Sequence, residues 1–227
     1  MSQQSVSEAI RNRCSVRAFG SDPVPVEVLR EVLQLAARSP SGGNVQPWRV
    51  YVLGGQELSR FCARMQVRLQ AGEPDPEEYP IYPPNLKEPY RDYRFDIGQR
   101  LYRTLGIERE DRAGRQRWFA RNFAFFGAPV GLFCFVDRCM GKAQWADLGM
   151  FLQTLMLLLE ERGYGSCAQE AWALYHRTVT EFVGSPDDWM LFCGMAIGKP
   201  DAQAPANHLD SPRMGLDEFV VMRGFEE

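Results

Sequence analysis

Trp145 to Arg162 is apolar on nearly every side of a helix, with Leu148–Leu159 at its heart and Gly163 to end it. A helix of that kind must be covered all round. It does not cross a membrane, because about a dozen apolar residues fall short of the roughly 20 a bilayer needs. Gln153 and Thr154 also interrupt it. It is therefore expected inside a protein core, packed on a large partner surface. Pro129–Asp137 (PVGLFCFVD) offers part of that surface, since a near-continuous apolar run suits a strand buried on both faces. Met190–Ile197, closed by Gly198, Lys199 and Pro200, reads as a second strand. With 227 residues the chain is long enough to bury such a core.

The other elements follow from periodicity and breakers. Val6–Arg13 reads as a short helix. Glu27–Arg38 reads as an amphipathic one that Pro40 stops. Ser39–Pro47 is a glycine-bearing loop before a strand at Trp48–Leu53. Glu73–Pro89 holds six of the chain's 15 prolines and cannot be regular helix. More helical sequence runs on to Arg121, and a further short helix is expected over Thr178–Val183. Phe219–Met222 is β-like. We read residues 1–227 as a single domain with an excursion at about 73–121 and a tail at about 201–227.

Composition narrows the classes. A net charge of −3 gives no global signal for nucleic acid, although Arg11, Arg13 and Arg17 crowd together. The six cysteines form no C-x-x-C pair and there are two histidines, so no metal site is expected. Met1–Ile10 lacks an apolar signal core. Free thiols in a reducing cytoplasm, with no membrane association, are the expectation.

Four clusters carry chemistry. Arg13-Cys14-Ser15-Val16-Arg17 places two guanidiniums and a hydroxyl where they could hold a phosphate; spacing alone suits a solvated turn as well. In Arg38–Trp48, Gly42 and Gly43 allow close backbone approach, and Asn44 and Gln46 offer paired donors and acceptors. This loop is not a G-x-G-x-x-G fingerprint and no Walker lysine follows. Gly163–Glu170 could turn backbone N–H groups toward a cofactor, or could simply cap a helix. Cys167 is a poor nucleophile candidate, because neither His176 nor His208 is near it in sequence. Gly194–Pro200 again permits close approach, and Arg213 could complete a phosphate site.

Taken in order, these clusters resemble the nitroreductase family of flavoenzymes. The matches are R-x-S-x-R, the Ala37–Trp48 loop, G-x-x-S-C-x-Q, the glycine-bearing late strand and Arg213-Met214-Gly215-Leu216-Asp217-Glu218. The excursion from Tyr79 to Tyr93, together with Phe126–Val130 and Gln144–Gly149, is most similar to the nitrobenzoate-reductase-like branch. Cys14 stands where many members carry a further basic residue. Gly215 replaces a common proline, and Ser211 replaces a lysine found in some members.

The resemblance implies an α+β fold, with a mainly antiparallel central sheet flanked by helices, in an intertwined homodimer. It implies FMN as bound cofactor and NADH or NADPH as transient electron donor. A ping-pong mechanism would reduce a nitroaromatic or quinone-like acceptor, with flavin N5 carrying the hydride and no side-chain catalyst. By resemblance Arg13, Cys14, Ser15, Arg17 and Arg213 surround the phosphate. Pro40, Ser41, Gly43, Asn44 and Gln46 approach the flavin, with Ser41 and Gly43 from the other subunit. Cys167, Ala168, Gln169, Glu170 and Gly198 complete the cofactor shell. Tyr82, Tyr90, Tyr93 and Phe123 are the channel candidates. The same fold also serves reductive dehalogenation, cobalamin-base synthesis from flavin, and non-catalytic flavin binding.

Overall fold

The computed structural model describes residues 4–225. In chain order the elements are α1 (Val6–Asn12), α2 (Val26–Ala36), β1 (Trp48–Gly54), α3 (Gly55–Gln70), α4 (Tyr90–Thr104), α5 (Arg112–Ala120), β2 (Val130–Asp137), α6 (Lys142–Glu161), β3 (Gly165–Gln169), α7 (His176–Val183), β4 (Trp189–Gly198) and α8 (Leu216–Phe219). All strand pairings are antiparallel, in the order β1-β2-β4-β3.

β2 reads as an unbroken apolar run because the sheet is covered on both sides. Successive side chains point to opposite faces. Leu132, Cys134 and Val136 meet α2 and α6 through Val32, Ala36, Leu148, Phe151, Leu155 and Leu159. Phe133 and Phe135 meet Phe61 and Met65 of α3, with Phe125 and Trp172. The α6 helix is the expected buried one, yet Met150 on its other face remains exposed.

Three elements differ from the sequence expectation. The α3 helix was not anticipated. Its buried Leu58, Phe61 and Met65 are spaced three and four apart among charged residues, which is a helical signal in a polar stretch. The β3 strand was expected only as a cap or turn after α6. Gly163, at φ 74, does end the helix in the left-handed region. The small residues after it then become an edge strand, because Gly165–Gln169 finds the β4 backbone at Gly198–Gly194. Phe219–Met222 is not a strand in the structure. Glu218 reaches back to accept from the Gly215 N–H at 2.5 Å, which closes a helical turn instead.

The first part of the excursion is pinned to the body. The Asp75 carboxylate accepts from the Arg177 N–H at 3.0 Å and pairs with Arg68 at 3.2 Å. Glu78 pairs with Arg138 at 2.6 Å. The Tyr79 hydroxyl donates to the Phe192 carbonyl, beside the register shift between β2 and β4. These anchors set the chain from Glu77 to Pro84 across the end of β3.

Candidate functional site

The N-terminal arginine turn and β3 are joined through the backbone. Ser15 bridges Ser166, and the Val16 N–H donates to the Ser166 carbonyl at 3.0 Å. The approach is close: a Cβ on Gly165 would stand 2.5 Å from Val16 Cγ2, so only glycine fits there. Asn207 clamps the same turn. Its Oδ1 accepts from the Arg17 N–H at 2.7 Å, and its Nδ2 donates to Ala18 and Asp201 carbonyls at 2.8 and 2.9 Å. One asparagine in a polar tail gave no sequence signal of this role.

Arg13 and Arg17 are both half-buried and neither forms an ion pair among the described residues. Their charges act on the same groups. Burial pushes the Cys167 thiol up, with Arg17 and Arg13 opposing it, and the Cys14 thiol is raised in the same way. A buried, protonated Cys167 is not poised as a nucleophile. Glu160 also feels Arg13, but burial raises its pKa. Ser166 Oγ is buried without a hydrogen-bond partner among the described residues.

Beside this turn opens a cleft of about 800 Å³. Its floor is Arg17 and the run Cys167, Ala168, Gln169 and Glu170; its facing wall includes Ile81, Tyr82, Arg94 and Phe119. The Gln169 side chain is spent on the protein: Nε2 donates to the Asn122 carbonyl at 2.8 Å and Oε1 accepts from Trp172 Nε1 at 3.3 Å. Burial raises the pKa of the Glu170 carboxyl, although the residue keeps contact with solvent. Tyr82 lines the cleft, and the Arg94 guanidinium lies over its ring at 3.8 Å.

Other expected positions fall elsewhere. Phe123 does not reach the cleft. It is 3% exposed, packed on Trp172 and Tyr175, and Phe119 one helical turn earlier takes the wall. Tyr90 and Tyr93 sit exposed on α4, outside the cleft lining. The space Gly198 leaves is filled by the protein itself, since a Cβ there would meet Pro129 Cδ at 2.5 Å and Phe19 Cδ1 at 3.2 Å. Arg213 is exposed and donates to the Ser211 and Pro212 carbonyls of its own tail at 2.6 and 3.1 Å.

The Ser39–Pro47 loop lies at the start of β1, on the sheet edge opposite β3, and lines no part of this cleft. It is held by α6. Asp147 accepts from the Gly42 N–H at 3.3 Å, and Ser39 donates to Thr154 Oγ1 at 2.9 Å. Gly43, Asn44 and Gln46 all have positive φ, at 59, 57 and 51°. Gln46 pays conformational strain of about 1–3 kcal/mol in that region. It is offset in part by Ser41 Oγ, which accepts from the Gln46 N–H at 3.0 Å. Pro40, Asn44 and Gln46 are left exposed. Asp147 stood inside a motif run, but its loop-anchoring role needed the fold.

With this geometry in place, comparison with known proteins is decisive. The nitroreductase family model matches residues 10–199. The chain belongs to the nitroreductase family. This family member is 37% identical over 217 residues to the nitrobenzene nitroreductase of Ectopseudomonas oleovorans, covering 95% of this chain and 96% of the relative. It is 34% identical to the 4-nitrobenzoate reductase of Pseudomonas putida, covering 96% and 95%. Among solved structures it superposes on the FMN and NADPH-dependent nitroreductase NfnB from Sphigopyxis sp. strain HMH with a TM-score of 0.94 at 46% identity, covering 98% and 100%. The NADPH complex of NfnB from Mycobacterium smegmatis gives a TM-score of 0.90 at 31% identity, covering 96% and 97%. These likenesses agree with the α+β, antiparallel-sheet expectation.

Proposed function

We propose that this nitroreductase-family chain is an FMN-dependent NAD(P)H oxidoreductase that reduces nitroaromatic acceptors, and that it works as a homodimer in the cytoplasm. One observation carries the cofactor assignment. Arg13 and Arg17 are half-buried residues with no carboxylate partner among the described residues; Arg17 lines the cleft, and their shared turn bridges Ser166, whose buried hydroxyl has no hydrogen-bond partner among the described residues. Guanidiniums with no carboxylate beside them are free to take an anion, and a phosphate satisfies their fork geometry. Arg13, Ser15 and Arg17 would hold that phosphate, and the family resemblance adds Arg213, which the exposed tail would have to bring there in the assembled dimer.

Bound flavin would supply a two-electron carrier between a reduced nicotinamide and an electron-poor acceptor. The protein's part is placement. The β3 edge from Cys167 to Glu170 gives the cleft a rigid floor. Phe119, Ile81 and Tyr82 form an apolar wall that limits water and accepts a planar ring. None of these groups is asked to bond covalently to the substrate.

Supports for the dimer are the unpaired β1 edge and exposed Val6, Ile10, Phe219, Val221 and Phe225. The strained Gly43–Gln46 loop is a third. It stands three strands from the cleft, roughly 14 Å across the sheet, so it meets a flavin there only as part of a second copy. Relatives reduce nitrobenzene in one case and nitrobenzoate in another, by name, which leaves this chain's acceptor to its own cleft. Six unpaired thiols suit a reducing compartment. We read the chain as one such domain.

The purified protein is expected to be yellow and to release FMN, not FAD, when heated, because no Rossmann fingerprint is present for an adenosine half. Mass spectrometry of the released cofactor checks this, and FAD or no flavin would remove the assignment. Rapid anaerobic reduction by NADPH would separate turnover from flavin storage.

Arg17→Ala is expected to weaken FMN binding by about 1.5–3 kcal/mol, the loss of a charge-assisted contact. Arg17→Lys should restore only part, since the fork is gone. Fluorescence titration with FMN is the measurement. An unchanged affinity in Arg17→Ala returns the arginine turn to a purely structural role.

A further inference from the structure

We infer that Arg94 is the specificity residue of the cleft, binding a carboxylate carried on the ring of the nitroaromatic acceptor. The inference rests on the nitroaromatic reading above and names the acceptor class within it.

Of the four arginines of α4, two are paired. Arg91 is taken up by Glu88 and Asp92, and Arg100 by Asp96 and Asp210. The other two, Arg103 and Arg94, have no carboxylate partner among the described residues, and of these two only Arg94 lines the cleft. Its guanidinium instead lies over the Tyr82 ring at 3.8 Å, and both residues line the cleft. Stacking on an aromatic face fixes the guanidinium plane while leaving its edge N–H donors free. A bidentate carboxylate is the ligand that such an edge fits.

Placement supports an acceptor group. Tyr82 and Arg94 stand on the wall of the cleft formed by the excursion and α4, while Arg17 stands with Cys167–Glu170 on the side joined to the arginine turn. The two cations of the lining thus belong to different elements. Arg17 is assigned to the cofactor, and Arg94 is left for whatever enters from solvent. Two carboxylates also line the cleft, Glu77 on the excursion and Glu170 at the end of β3. They would repel an anion, so the net preference is a contest that substitution can read. Removing Arg94 should disfavour acidic acceptors, and removing Glu77 should favour them.

The test compares 4-nitrobenzoate with nitrobenzene on flavin-loaded wild-type, Arg94→Gln, Arg94→Lys and Glu77→Gln proteins. Arg94→Gln is expected to raise KM for 4-nitrobenzoate about tenfold more than KM for nitrobenzene, the low end for a charge-assisted pair at a solvated site. Arg94→Lys should recover part of this, and Glu77→Gln should lower KM for the acid alone. Calorimetric binding of benzoate, which cannot be reduced, gives the same comparison without turnover. Wild type that binds benzoate through Arg94 but reduces no nitroarene would defeat the nitroreductase reading and leave the anion site standing. Equal loss for both acceptors, unchanged benzoate binding in Arg94→Gln, or an effect confined to KM for NADPH relative to NADH would overturn the inference; the last outcome would assign Arg94 to the nucleotide phosphate.

Discussion

Deletion of residues 210–227 is expected to give a folded, colourless monomer. Among residues 210–225 all but the partly covered Val220 are exposed, and Asp210 meets Arg100 at 3.4 Å. The protomer core should therefore survive. Assembly should not, because Met214, Leu216, Phe219, Val221, Met222 and Phe225 are all exposed apolar side chains. Covering such residues against a partner is worth on the order of 10 kcal/mol gross, at about 1.5–3 kcal/mol each, before the cost of association. The deletion spares Asn207, so the Arg17 turn keeps its clamp and loss of flavin cannot be traced to a collapsed turn. It does remove Arg213. Full-length Arg213→Ala separates the two effects: it should lose FMN affinity and remain dimeric. Sedimentation with absorbance at the flavin band reads both. A truncated protein that is dimeric and yellow would contradict the proposed role of the tail.

Trp172→Ala is expected to cost about 3–5 kcal/mol, the range for emptying a large aromatic site in a core. Trp172 is fully buried, with ring centroids 4.7 Å from Phe125, 5.1 Å from Phe133, 5.3 Å from Phe123 and 5.4 Å from Phe61. Its Nε1 also donates to Gln169, so removal leaves that amide oxygen unpaired beneath the cleft floor. At roughly 2–4 °C per kcal/mol for a chain of this size, Tm should fall about 6–20 °C at fixed protein concentration. Gly194→Ala should cost about 1–3 kcal/mol by overpacking, because the added Cβ would stand 2.2 Å from Trp172 Cδ1. The two changes should not add. Once the indole is gone the methyl has room, so the double variant should be at least about 1 kcal/mol more stable than additivity allows. Strictly additive denaturation midpoints would mean that Gly194 is not held by Trp172.

That glycine shows where sequence reading stops. Gly194, Gly198 and the Gly163–Gly165 pair look alike in sequence, as places where backbone could meet a ligand. In the fold Gly194 and Gly198 make room for Trp172 and for Pro129 with Phe19, and Gly165 for Val16. Local composition specifies that no side chain fits; it does not say what arrives instead. Phe123 fails for a similar reason. Helical spacing puts Phe119 and Phe123 on neighbouring turns, and only packing decides that the first faces the cleft and the second the core.

The strand runs of β2 and β4, the buried α6 helix and the glycine-bearing loop before β1 were legible because each depends on short-range periodicity or on breakers. The order of motifs likewise carried the family. The β3 strand was not legible, because five small residues become a strand only when β4 offers its backbone. The union of Arg13–Arg17 with Cys167–Glu170, about 150 residues apart in the chain, was implied by the family resemblance and not by spacing; the bridge at Ser15 and Ser166 that makes it needed the fold. Sequence alone determined which residue types were available to hold an anion. Tertiary structure decided which guanidiniums are left without a carboxylate, because pairing is settled by distance in space: Arg91 and Arg94 are three residues apart on one helix, and of the two it is Arg94 that lines the cleft with no carboxylate partner among the described residues.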